Sequence, residues 1–161
     1  MQLPEPQDEH RWLHRMVGRW EATMECSMGP GQEPMRTRAT ETVRSLGGLW
    51  VIGEGEGEMP GGGISRSVIT LGFDPAKGRF VGSFIASVMG NLWIYEGTRD
   101  AEGRSLTLDT RGPSFGNPAV LADYQDVVTI ESDDRRLLTS RIRGEDGSWT
   151  EFMRAEYRRV G

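Results

Sequence analysis

One cysteine, two histidines and no long apolar run are what this sequence most conspicuously has little of, and each shortage removes a class of function. With Cys26 alone, no internal disulfide can form, and a structural zinc site built on thiolates is excluded. That usage fits a reducing compartment. No uncharged apolar stretch approaches the ~20 residues that a membrane-spanning helix needs. Residues 1–8 are polar and proline-bearing, without the cationic start and apolar run of a secretory signal, so the expectation is a soluble, cytoplasmic protein. A surplus of positive charge is missing too. The formal net charge is −5 and the pI about 5.1, which offers no attraction to phosphate backbones or anionic lipid and argues against nucleic acid and membrane as partners.

What the chain does have is glycine: 22 residues of 161, about twice the ~7% usual for globular proteins. In the absence of a collagen-like period this implies many tight turns. A chain of this length buries roughly two thirds of its surface on folding, enough for one domain spanning residues 1–161.

The turns fall where a change of period requires them. Trp12, Leu13, Met16 and Val17 recur at helical spacing after Pro6, Asp8 and Glu9, and Gly18 ends the pattern, so a helix is predicted over about 8–17. Beyond it the period drops to 2. Trp20, Ala22, Met24 and Cys26 alternate with Glu21, Thr23 and Glu25, the pattern of a strand with one dry face. Further strands are predicted at 35–44, 50–58, 67–73, 79–87, 92–98, 105–110, 124–132, 136–143 and 149–158, separated by Gly, Pro and Asp clusters. In the strand predicted at 50–58, Gly53, Gly55 and Gly57 alternate with Glu54, Glu56 and Glu58, so either something approaches the bare face closely or the strand bends. The one long gap, 111–123, reads as a functional loop or lid.

About ten strands with no helical crossovers favour antiparallel pairing, and closing the sheet removes both exposed edges. The expected fold is all-β: a ten-stranded antiparallel up-and-down barrel over about 19–159, behind one short helix. An eight-stranded barrel can already hold a small ligand, so a wider one is expected to enclose a cavity.

Gly18-Arg19-Trp20, at the helix-to-strand junction, resembles the Gly-x-Trp signature that opens the first strand of lipocalins and their calycin relatives. The resemblance implies a structural plug: Gly18 and Trp20 at the closed end, with a basic side chain from the last strand over the ring, a role open to Arg154, Arg158 or Arg159. Over nearly the whole chain, Glu9-His10, Gly18-Arg19-Trp20, Leu46-Gly47-Gly48, Gly72-Phe73-Asp74, Tyr95-Glu96-Gly97 and Tyr157-Arg158 are similar, in order and spacing, to the bacterial calycin-like family catalogued as domain of unknown function 1579. That resemblance implies the fold and no activity. Where relatives tend to carry tryptophan and polar groups along the middle strand, this chain has Phe84, Ala86, Val88, Gly90 and Asn91.

Candidate site residues follow from side-chain chemistry. Met24, Trp50, Phe84, Trp93, Tyr95 and Tyr124 are large side chains on predicted strands, suited to line a pocket for a small apolar or aromatic ligand, although core packing also calls for them. Trp93 and Tyr95 share one strand face. Arg141, Glu151, Asp109 and Asp126 are charges within strands whose default place is the solvated outer face. Turned inward, Arg141 suits a ligand carboxylate or phenolate, and Asp126 or Asp109 beside Tyr124 indicates acid–base work. His10 and His14 share a helical face, but Glu9 is not on it and no third ligand completes a metal site, so no metal is expected. Haem on a barrel histidine, as in the nitrobindins to which the calycin resemblance extends, is disfavoured because both histidines precede the barrel. Gly61-Gly62-Gly63 lacks the lysine and helix of a phosphate loop.

The leading expectation is therefore a cofactor-free binding or carrier barrel for a small, largely apolar molecule, with 111–123 or 60–63 as a mouth loop. Its rival is a metal-free, cofactor-free isomerase, cyclase or lyase using Tyr124, an aspartate or Arg141. A homodimer that uses its outer strand faces is the third class.

Overall fold

The structure, a computed structural model, describes residues 1–161. A short helix, α1 (Asp8–His14), precedes ten strands: β1 (Gly18–Cys26), β2 (Met35–Leu46), β3 (Trp50–Glu58), β4 (Ile64–Asp74), β5 (Arg79–Ala86), β6 (Trp93–Arg99), β7 (Ser105–Pro113), β8 (Leu121–Ser132), β9 (Arg135–Arg143) and β10 (Trp149–Arg159). Each strand pairs antiparallel with its chain neighbours. The tube closes where β1 meets β10, from Trp20 opposite Arg159 to Cys26 opposite Met153. The all-β antiparallel barrel read from the two-residue period is the fold observed, and α1, the sole helix, is not long and apolar enough to cross a membrane.

The helix stops earlier than its hydrophobic spacing predicts. Regular α-helix ends at His14, and the N–H groups of Arg15, Met16 and Val17 each bond three residues back, tightening the chain before Gly18. Gly18 then takes φ +141°, a left-handed value that favours glycine, and a Cβ there would lie 2.2 Å from Arg159 Nη1. This crowding accounts for the first residue of the Gly-x-Trp signature. Trp20, 2% exposed, donates its indole N–H to Met16 O.

Two guanidinium groups lie over the Trp20 ring, Arg159 at 4.3 Å and Arg136 at 4.7 Å from its centroid. Arg159 also donates to the carbonyls of Arg15 and Val17, tying the last strand to the end of the helix. Of the three candidates for this role, Arg159 fills it, whereas Arg158 points to the outer face and pairs there with Glu21. The correction is one of parity: Tyr157 and Arg159 face in, so their neighbour cannot. Arg154 is likewise outward, against Glu151. α1 closes this end, with Trp12 donating to Gly103 O and a His10 ring nitrogen 3.1 Å from Phe73 O.

The opposite end is the mouth. The predicted long gap shrinks there, because β7 runs on to Pro113 and β8 begins at Leu121, leaving residues 114–120 as the loop. Proline ends a ladder without stopping it early, which is why the turn residues misled the count.

Candidate functional site

Alternation decides what the tube encloses. A cavity of about 310 Å³ runs along its interior, and 18 of its 25 lining residues are hydrophobic. Val43, Val51, Leu71 and Leu108 form the lower wall, with Met16 from the helix end beneath them. Met24, Phe84, Trp93, Tyr95 and Tyr124 line the cavity as well. Toward the mouth the rings of Trp93, Tyr124, Phe115 and Phe152 pack edge to face, with successive centroids 5.1, 5.6 and 4.8 Å apart. The Trp93 ring covers Gly112, where a Cβ would meet it at 2.2 Å.

The glycines of β3 make room in the same way. A Cβ on Gly53 would come within 2.8 Å of Ile69 and 2.9 Å of the Glu41 carboxylate, so the bare face foreseen in the sequence is filled by neighbouring side chains. Glu54 and Glu56 point outward to Arg44 and Arg66.

Two polar clusters interrupt the apolar wall. Near the plug, Arg136 donates to Glu41 in a buried ion pair and stacks 3.9 Å from the Tyr157 ring centroid. Burial pushes the Tyr157 hydroxyl far up, out of any physiological titration. Higher in the lumen, Asp126 accepts the Tyr95 hydroxyl on one carboxylate oxygen at 2.5 Å and the Ser140 hydroxyl on the other at 2.6 Å. Burial raises the Asp126 carboxyl above its ordinary range, against the opposing pull of those two donors. Tyr95 is raised as well, first by burial and then by the carboxylate beside it. Thr110, also in the wall, holds a buried hydroxyl with no partner.

Two residues chosen for the pocket lie outside it. Trp50 is 39% exposed and rests on Gly72 at the barrel's outer surface, and Arg141 bonds Gln125 and stacks on Trp149 there. Both share parity with outward neighbours, a fact hidden by apolar residues on both faces of β3 and β9. Asp109 bonds Gln125, and Glu151 meets Arg154, on the same exterior. Tyr124 donates to Pro113 O rather than facing an aspartate. His10 and His14 do not act as a pair: His10 Nδ1 accepts Gln7 N–H, and His14 reaches Ser45.

Sequence reasoning missed Glu41, Arg136, Ser140, Phe115 and Phe152. For Glu41 a signal existed, since it shares parity with Ala39 and Val43. The Arg136 partner sits 95 residues away, where no local pattern reaches it.

The sequence matches, over residues 5–159, the profile of a family described as "Protein of unknown function (DUF1579)". Among curated proteins nothing matches it. Several solved structures share the fold. The M. tuberculosis protein Rv2717c superposes with a TM-score of 0.67 at 13% identity, covering 98% of this chain and 100% of its own. The S-type phycobiliprotein lyase CPES of Guillardia theta gives 0.62 at 13% identity, with 97% and 99% covered. A redesigned β-barrel, b11L5F_LGL, gives 0.51 at 12% identity, with 94% and 96% covered. Likeness at such identities establishes the barrel and nothing finer.

Proposed function

We propose, from the premise that the chain belongs to the DUF1579 family, that this barrel is a binding or carrier protein for a small, largely apolar molecule held in its lumen. The observation that carries this reading is the cavity itself: about 310 Å³ of mostly apolar space inside a closed sheet, at the lower end of the range of known ligand pockets. A filled core would have packed such a volume with side chains.

The mouth supports the same reading. Loops 59–63, 87–92 and 114–120 contain no charged residue, and Val88, Met89, Phe115 and Val120 are exposed on them. An apolar ligand entering between these three loops meets apolar side chains, the charges at that end, Glu33, Glu145 and Asp146, lying on the other two loops, 27–34 and 144–148. A panel of fatty acids, flavonoids and polyketide-like aromatics tests the proposal by thermal denaturation. At least one class is expected to raise Tm by several degrees at saturating concentration, and no rise with any class contradicts it.

A metal-free, cofactor-free enzyme is the second reading, and one feature favours it. Asp126 faces the lumen with a tyrosine hydroxyl bonded to it, the kind of couple that moves a proton. Mass spectrometry of the bound molecule separates the two. Conversion that falls about 10²-fold or more in Asp126→Asn supports catalysis, and recovery of the ligand unchanged supports carriage.

A further inference from the structure

By charge, the lumen is short of one cation. Its wall carries the ionisable side chains Glu41, Arg136 and Asp126 together with three tyrosines, Tyr95, Tyr124 and Tyr157. Arg136 is committed to Glu41, both side chains being almost wholly buried. Asp126 has no such partner. It makes no salt bridge, and its hydrogen bonds from protein are the Tyr95 and Ser140 hydroxyls, one on each oxygen. Arg141, on the neighbouring strand β9, is turned out to Gln125 and Trp149.

We infer that the lumen's ligand is an organic amine: an apolar body that fills the cavity and a protonated nitrogen that sits on Asp126. The inference rests on the container reading above and narrows it. A carboxylate has about four acceptor positions, and two hydroxyl donors leave the remainder free for N–H groups. A protonated amine brought to those positions favours the charged form of the acid and so offsets the cost that burial sets on it.

Two further groups suit an ammonium. Thr110 stands one inward row nearer the mouth, opposite Tyr124, and its buried unpartnered hydroxyl is an available acceptor. Beside it, the rings of Trp93 and Tyr124 line the cavity, and an aromatic ring attracts a cation brought to its face. Other ligand classes fit worse. A ligand carboxylate would bring a second negative charge toward Asp126 with no free arginine to receive it. A neutral ligand would leave Asp126 as a lone charge in a still drier lumen, which is costly.

A matched series tests this at pH 7: 4-phenylbutylamine, 4-phenylbutanol and 4-phenylbutyrate, titrated into the intact protein with tryptophan fluorescence as readout. The amine is expected to bind about tenfold or more tightly than the alcohol, as a charge-assisted hydrogen bond gives, and the carboxylate weakest of the three. In Asp126→Asn the amine-to-alcohol ratio is expected to fall to near one. The ratio in the unaltered protein decides the sign even where the variant folds poorly. Binding of the alcohol as tightly as the amine, or more so, overturns the amine assignment and leaves the container standing. Failure of all three to bind counts against both.

Discussion

Asp126 concentrates the chemistry of this protein in one side chain. Its carboxyl is raised by burial in the folded state, so without a bound cation the folded form holds its proton to a higher pH than the unfolded chain does. The sign follows from linkage: that contribution is fully present below the unfolded carboxylate pKa and is lost as pH rises through the higher folded value. Without ligand, Asp126→Asn is expected to raise Tm by a few degrees at pH 8 and to change it less at pH 4, as followed by circular dichroism; equal shifts at both pH values would contradict this. Asparagine can still accept one of the two hydroxyls. Substitution at the buried Glu41–Arg136 pair destabilises instead. Glu41→Gln leaves a buried guanidinium without its counter-charge and is expected to cost about 3–5 kcal/mol in urea unfolding. The double variant Glu41→Gln, Arg136→Met is expected to cost less than the sum of the two single changes. At this scale the sequence was partly legible. Asp126 shares parity with Tyr124, Val128 and Ile130, so its inward direction could be read, whereas β9, with Leu137 and Leu138 on opposite faces, gave Arg136 and Arg141 no distinguishing signal.

Among the elements, β3 shows how a strand makes space for charge. Its alternating glycines announce a close approach without saying by what, and the structure supplies Glu41 and Ile69 at Gly53. Gly53 and Gly57 are therefore not equivalent. Gly53→Ala puts a Cβ inside the contact distance of both neighbours and is expected to cost about 1–3 kcal/mol. At Gly57 the nearest atom to a new Cβ is the Ala39 Cβ at 3.6 Å, an ordinary contact, and Gly57→Ala is expected to be nearly neutral or slightly stabilising. Chemical denaturation of the two variants side by side checks the difference, and equal costs would contradict the assignment. The junction of α1 and β1 was legible in kind but not in extent. Gly18 was read as a stop, while the tightened turn over residues 15–17 depends on Arg159, which arrives from the far end of the chain.

At the scale of the whole molecule, the two-residue period was enough to give ten strands and their closure, because an open sheet of that width leaves two unpaired edges. The period alone could not assign faces where both are apolar, and so Trp50 was counted among the pocket residues and Arg141 was kept as a ligand contact should it turn inward. It also could not choose the open end, which depends on where α1 docks and on which loops carry exposed apolar side chains beside the cavity. Those two facts together give a tube plugged by Trp20 and Arg159 below and rimmed by Met89 and Phe115 above. Isothermal titration of the unaltered protein with whichever compound of the panel raises Tm most tests this container most directly. The account predicts saturable binding of one molecule per barrel with a negative heat-capacity change, the mark of apolar surface leaving water. Heats that never saturate, from a barrel shown to be folded, would contradict it.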